Sequence, residues 1–207
     1  MKKFLKDILP WIVVILCLCG LALIMYKIKN NTISDFDNNI YNVVINNKSD
    51  LLTNILKYIT YLGESKLVVV AFIILLLFYK DKLFSISFGL LTIGSFGINF
   101  FIKHIVKRAR PVGIALIEED GYSFLSTHSI AAVVVYGFLI YNIWKSKMDK
   151  IYKILLTILL ILIMLIIPIS RIYLGVHFAS DTLAGMLFGL AFLIAFIKIV
   201  YEKRISK

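Results

Sequence analysis

The sequence predicts an all-α, polytopic membrane protein: six transmembrane helices with amphipathic helices on the outer side. Three observations carry this reading. First, 60% of the 207 residues are apolar and 17% are charged, against roughly 45–50% and about 25% in soluble domains. Mean hydropathy is +0.91. Second, the apolar residues fall in six runs of spanning or near-spanning length. Third, the 23 Lys and Arg residues lie between those runs rather than along one solvated face. The net charge of +11 therefore reads as topology signals, an anion site or both, not as a nucleic-acid footprint. This composition excludes a disordered chain, a disulfide scaffold and an ordinary cytosolic enzyme. The length suits one domain over residues 1–207.

The spans are expected at 8–26, 66–79, 84–102, 127–144, 151–169 and 178–200. The first follows Met1-Lys2-Lys3-Phe4-Leu5-Lys6, which looks like the start of a signal peptide. No small-x-small cleavage site follows the apolar run, so it reads as an uncleaved span. Cys17 and Cys19 within it are i,i+2 and point to different sides of a helix, as small apolar side chains. The second run is short and needs helical sequence on its N-terminal side. The fifth is the clearest: from Ile154 to Ile169 the one polar side chain is Thr157, so it has no water-facing stripe. Between the first two spans, Ile40, Val43, Val44, Leu51, Leu52, Ile55, Leu56 and Ile59 recur at helical spacing. They predict one or two amphipathic helices at the outer interface, separated at residues 47–50. Pro10, Pro111 and Pro168 fall at or near span ends. There is no internal repeat or low-complexity tract.

An even number of spans puts both termini on one side. The short connections Tyr79–Leu83 and Lys145–Lys150 are both basic, as are the two chain ends. The positive-inside rule places those segments and both termini in the cytoplasm.

Three polar clusters interrupt the apolar chain, all on the outer side of that topology. Ionisable groups at membrane depth are functional candidates. Lys103-His104-Ile105-Val106-Lys107-Arg108-Ala109-Arg110-Pro111 ends the third span. Positions 103, 107 and 110 share one helical face, and Pro111 predicts a helix end at Arg110. Alone, this cluster reads first as headgroup anchors. Tyr122-Ser123-Phe124-Leu125-Ser126-Thr127-His128-Ser129 precedes the fourth span. Ser126 suits an N-cap, which puts Thr127, His128 and Ser129 in a first turn whose free N–H groups favour an anion. The third cluster, Ser170-Arg171 through His177 to Asp181, lies between the last two spans. His177 and Asp181 are i,i+4. On a helix the carboxylate reaches one imidazole nitrogen, fixes the tautomer and leaves the other nitrogen as a nucleophile. Arg171 offers a planar fork for phosphate oxygens. No His-Glu-x-x-His or Cys-x-x-Cys accompanies the three histidines, so no metal is expected. Glu118, Glu119 and Asp120 read as a solvated loop.

Taken together, Lys-x6-Arg-Pro, then Ser-x-His, then Ser-Arg-x5-His-x3-Asp resembles the phosphatidic acid phosphatase type 2 superfamily of integral-membrane lipid phosphate phosphatases. The motifs run from Lys103 to Asp181, and the six-span layout extends the likeness over nearly the whole chain. The second motif departs from the family form Pro-Ser-Gly-His: Leu125 replaces the rigid Pro, and Thr127 adds bulk where backbone approaches phosphate. The resemblance implies a cofactor-free, metal-independent hydrolase at the outer membrane face. It implies that His177 is the nucleophile, Asp181 orients it, and His128 is general acid and base. Lys103, Arg110, Ser126, Thr127 and Arg171 would hold the phosphoryl oxygens. Lys107 and Arg108 would meet headgroups or a second phosphate. The implied partners are membrane lipids and a lipid phosphate: undecaprenyl diphosphate, phosphatidylglycerol phosphate or phosphatidic acid. The altered second motif keeps open a catalytically weak relative that binds or moves phospholipid. An anion transporter would need polar residues across several spans, which the first and fifth lack.

Overall fold

The computed structural model describes residues 2–205, and side chains from 7 to 204. Lys2, Lys3, Lys6 and Lys207, read above as topology signals, lie outside the described side chains. The described chain is helical with no strand. We label its helices α1 (Lys2–Lys29), α2 (Ser34–Ile45), α3 (Asp50–Ile59), α4 (Ser65–Phe78), α5 (Lys82–Val106), α6 (Thr127–Lys145), α7 (Lys150–Tyr173) and α8 (Ala179–Arg204). Five of these, α1 and α5–α8, are long and apolar enough to cross a membrane. The pair α3–α4, bent by 47° around the short 3-10 turn Thr60–Gly63, is a broken span or a re-entrant loop, and brings the number of crossings to six if it counts as one. At about 1.5 Å per residue, the 14 residues of α4 fall short of hydrocarbon thickness. The N-terminal extension therefore exists, but as a separate helix set at an angle.

α1 and α8 pack along their lengths. Val14, Cys17, Leu21 and Ile24 form the buried stripe of α1, at spacings of three and four. Leu16, Leu18 and Leu23 stay exposed, as a lipid-facing side requires. Cys17 is buried and Cys19 exposed, as their i,i+2 spacing predicts. In α5 the packed side is small and polar: Ser85, Ser87, Thr92, Ser95 and Asn99 are all buried. Thr92 and Ser95 hydroxyls donate to carbonyls of their own helix, at 2.8 and 2.9 Å. This satisfies them while letting neighbours approach closely. In α7 the exposed and buried parts follow one another along the helix. Ile158, Leu159 and Leu162 are lipid-facing, whereas Ile167, Pro168 and Ser170 to Tyr173 are buried. Pro168 lies inside this helix, not at its end, so Ser170 and Arg171 belong to the last turns of α7.

α2 and α3 are the expected amphipathic pair, separated at residues 46–49. Ser49 caps α3 through its hydroxyl, 3.2 Å from Leu52 N. Leu56 packs with Tyr173, Leu174 and Val176, flanked by Val44, Leu52 and Ile59. The Tyr173 hydroxyl meets Thr53 Oγ1 at 2.9 Å. The pair is thereby fixed over the end of the bundle where α5 stops and α6 and α8 begin.

Candidate active site

All three clusters converge at that end. α7 finishes at Tyr173, and Gly175 at φ +70° reverses the chain toward α8. A side chain there would collide with the Ile114 carbonyl oxygen, so the turn needs both the backbone freedom and the missing Cβ of glycine. The reversal holds His177 just ahead of α8, whose first turn carries Asp181. One Asp181 oxygen, Oδ2, accepts the Phe178 N–H at 3.0 Å. That is a helix-start contact, and it fixes the carboxylate beside the imidazole.

His177 Nε2 lies 3.2 Å from Arg110 Nη1. Guanidinium has no acceptor, so Nε2 presents its lone pair and the ring proton sits on Nδ1. That proton faces Asp181 Oδ2 at 3.6 Å. His177 precedes the first turn of α8, so the pair does not share a helix as the i,i+4 spacing suggested; the turn brings the two together instead, at a separation beyond hydrogen-bond length. Burial pushes the His177 imidazole well below its ordinary range, and the charges of Arg171, Arg110, Lys103 and His128 add to this. Both effects favour the neutral ring.

Ser126 caps α6, with its Oγ 3.4 Å from Ser129 N, and His128 sits in the first turn. His128 Nε2 is 3.2 Å from Glu64 Oε2 but off hydrogen-bond alignment. Glu64 lies in the turn before α4. The Thr127 hydroxyl accepts from Asn99 Nδ2 at 2.9 Å. The bulk added at this motif is thus housed against α5. Leu125 is fully buried in the main core. The side chains of Ser126 and Thr127 are committed to capping and to Asn99 respectively, so an anion here would meet the start of the helix rather than their hydroxyls.

The cations depart most from expectation. α5 ends at Val106, not Arg110, and Lys107 adopts a left-handed conformation at φ 51°. The shared face of residues 103, 107 and 110 therefore does not form. Lys107 is exposed. Lys103 Nζ donates to the Tyr122 carbonyl at 2.6 Å. Arg110 Nε and Nη2 donate to the carbonyls of Gly121 and Asp120, at 3.1 and 2.8 Å, and Nη1 donates to that of Val176 at 2.8 Å. Arg171 is 1% exposed; it donates to Thr60 Oγ1 at 3.1 Å and to Glu119. Glu119 also pairs with Arg110 at 3.6 Å. Burial pushes the Glu119 carboxyl up, but the charges of Arg171, His128 and Arg110 outweigh this and hold it below its ordinary value. Glu119 is thus not part of a solvated loop: its carboxylate bridges the two arginines expected to hold an anion. Arg108 does not point to headgroups either. It turns inward to Asp181 and Asp37.

Sequence reasoning therefore missed Asp37, Glu64, Asn99 and Glu119. Asp37 is one of two acids in the first turn of α2, and in sequence it is indistinguishable from an ordinary dipole partner. Six buried side-chain atoms among the described residues lack a hydrogen-bond partner, and three of them are His177 Nδ1, His128 Nε2 and Arg171 Nε. Unpaired buried polar atoms are rare and demand a reason. Of these, His177 Nδ1 faces Asp181, while His128 Nε2 and Arg171 Nε belong to two side chains expected at the anion site. Among the described residues, no group of three or more His, Cys, Asp or Glu could hold a metal ion.

The chain is similar to several known proteins. The profile of the PAP2 superfamily matches residues 83–205. Phosphatidylglycerophosphatase B of Bacillus subtilis (strain 168) is 30% identical over 192 residues, covering 87% of this chain and 90% of its own. The fold matches the crystal structure of a transmembrane PAP2 type phosphatidylglycerolphosphate phosphatase from Bacillus subtilis. The TM-score is 0.83 at 24% identity, over 93% of this chain and 96% of that one. It also matches Aquifex aeolicus LpxE, with TM-score 0.64 at 23% identity, over 77% of this chain and 93% of that one.

Proposed function

This chain belongs to the PAP2 (phosphatidic acid phosphatase type 2) superfamily and is a membrane lipid phosphatase, and from that premise we propose that it removes the terminal phosphate of phosphatidylglycerol phosphate through a phosphohistidine. His177 Nε2 attacks phosphorus while the bond to the glycerol oxygen breaks. That oxygen leaves with the electron pair and takes a proton from His128. Water then attacks the phosphohistidine, its proton passes to His128, and the P–N pair returns to Nε2. Asp181 orients His177 and balances the charge it gains. Arg110, Arg171, Lys103 and the start of α6 hold the phosphoryl oxygens, and fixed charge of this kind is most of what phosphoryl transfer asks of a protein. These cations stand where other phosphatases use metal, so the reaction is proposed to be metal-independent. Phosphate entry displaces the Glu119 carboxylate from Arg110 and Arg171.

The single observation that carries this reading is the buried His177, with Nε2 3.2 Å from Arg110 Nη1 and Nδ1 facing Asp181. Substrate choice rests on the relative and on one cavity. The Bacillus subtilis relative is named for phosphatidylglycerophosphate. Beside Arg171 lies a cavity of 410 Å³ lined by Lys57, Thr60, Tyr61, Glu64, Glu118 and Glu119. Lys57 is the cation there that would meet a second, diester phosphate, once Glu119 has moved aside with phosphate entry. By the positive-inside argument the site faces outward and the termini lie in the cytoplasm.

The test is phosphate release by detergent-purified protein in excess EDTA, from phosphatidylglycerol phosphate, undecaprenyl diphosphate and phosphatidic acid. Release that is fastest from phosphatidylglycerol phosphate and absent in His177→Ala is expected. No release from any of them, by protein that still binds them, would replace this reading with that of a lipid-binding relative.

A further inference from the structure

Arg108 and Asp37 form a charged assembly behind the nucleophile, on the side away from the phosphate-binding cations. Arg108 Nη1 donates to Asp181 Oδ1 at 2.6 Å and to Ser180 Oγ at 2.7 Å. Its other terminal nitrogen donates to Asp37 Oδ2 at 2.7 Å. Asp37 is 3% exposed although α2 lies at the membrane-interface end. It accepts the Ser180 N–H at 2.7 Å and the Ser180 hydroxyl at 2.9 Å. The Arg108 guanidinium also lies over the Phe178 ring, 4.1 Å from its centre. One arginine thus bridges two buried carboxylates, and every contact fixes the segment Phe178–Asp181 that carries the partner of His177. A buried charge is retained against desolvation only when its geometry is well satisfied, and here it is.

We propose that Arg108, held by Asp37, is a positioning residue for catalysis: it sets the orientation and the charge that Asp181 presents to His177, so that α2 takes part in the reaction without touching substrate. Both Asp181 oxygens are engaged, Oδ1 by Arg108 and Oδ2 by the Phe178 N–H. The carboxylate therefore cannot swing away from Nδ1. Arg108 also shares its positive charge between Asp181 and Asp37, which leaves Asp181 negative enough to favour the ring proton on Nδ1. The inference rests on the phosphohistidine reading above.

The charges give the test a sign. His177 is faced by Asp181 from α8, Arg110 from the loop after α5, Lys103 from α5, His128 from α6 and Arg171 from α7, with Glu119 paired to two of these arginines. None of these groups changes in the variants below. Asp37→Asn leaves Arg108 to neutralise Asp181 alone, so His177 is harder to protonate and the acid limb of kcat/KM moves to lower pH. Arg108→Gln leaves Asp181 uncompensated, so His177 protonates more readily and the limb moves to higher pH. Titration of the substrate phosphate is common to all variants and cancels in the comparison.

The experiment measures pH profiles of full-length wild type, Asp37→Asn, Arg108→Gln and Arg108→Lys in detergent, each checked for monodispersity and thermal midpoint. Opposite shifts of the acid limb are expected. We also expect kcat to fall on the order of a hundredfold in Arg108→Gln with KM within about twofold, since a small misplacement near the chemistry costs that much, and Arg108→Lys to recover part of the loss. Unchanged profiles, or shifts in the same direction that merely follow the thermal midpoint, would reduce the assembly to a structural brace and overturn the proposal. If Arg108→Gln does not fold, Asp37→Asn decides it through the direction of its limb and Arg108→Lys through a loss of kcat with KM unchanged. His177→Ala separates the two levels: activity retained there sinks the phosphohistidine reading, whereas a dead His177→Ala beside unmoved Asp37 and Arg108 variants sinks only this inference.

Discussion

The third motif and the first motif reach the same site by different physics. Around His177 and Asp181 the geometry is local. α7 ends, Gly175 turns, α8 begins, and Asp181 takes the Phe178 N–H three residues back. How helices start accounts for Asp181, whereas His177 sits in the turn before α8 and not on the helix its spacing suggested. Around Lys103 to Arg110 the same kind of spacing argument fails. The helix stops four residues early because Lys107 enters the left-handed region, and the segment then follows distant partners: Asp37, Gly121, Val176 and Asp181. Short-range spacing is reliable where capping dictates the backbone. It misleads where tertiary hydrogen bonds do.

The largest effect that would sharpen this contrast is on the local side. Asp181→Asn keeps the shape but removes the charge that holds the Nδ1 tautomer. By analogy with orienting aspartates elsewhere, kcat should fall by about 10⁴, measured as phosphate release under saturating lipid. A loss below tenfold would mean that the helix start does not set the nucleophile.

The pH dependence follows from the same pair. As the proposed nucleophile, His177 has to be neutral, and burial, together with the surrounding cations, holds it well below the ordinary imidazole range. Activity should therefore persist as pH falls through about 6.5, the unperturbed value, and be lost only on reaching the lowered one. Because the unfolded chain takes up a proton there that the folded chain refuses, this residue makes stability decline as pH drops below its unfolded value. A pH profile of kcat/KM with its acid limb at the ordinary imidazole position would contradict the burial argument.

The second motif lies between these extremes. Thr127 occupies the place of a family glycine, yet its hydroxyl is held by Asn99 and its backbone still opens α6. Thr127→Gly should change kcat by less than about tenfold, because the N–H groups that meet an anion at a helix start belong to the backbone. A sharp rise on substitution would instead identify a chain weakened by Thr127, as a lipid-binding relative would be. The smallest effect belongs to Lys107. Its exposed side chain serves no contact and its left-handed backbone is strained, so Lys107→Gly should stabilise by about 1 kcal/mol with activity unchanged, read by thermal unfolding in detergent. A loss of activity there would restore Lys107 to the site.

The legibility of the sequence follows the same division. Apolar run length and the absence of a polar stripe place five of the spans, because lipid allows few alternatives. The bend between α3 and α4 was not readable. It depends on Gly63 fitting against Ile167 and the His128 carbonyl, contacts with no local signature. The convergence of His128, His177, Asp181, Arg110 and Arg171 was legible from motif order. Asp37 and Glu119 were not, since each looks like ordinary surface acid until a buried arginine from elsewhere in the chain meets it.

The most direct test of the central claim is to trap the intermediate. Purified protein would be mixed with phosphatidylglycerol phosphate, quenched in alkali within a fraction of a turnover, and mapped by mass spectrometry. A phosphoryl group on His177, absent in His177→Ala and accumulating when the second step is slowed in His128→Ala, is the expected result. Phosphate release by wild type without any phosphoryl-protein, or with the label on another residue, would contradict the assignment of His177 Nε2 as the nucleophile.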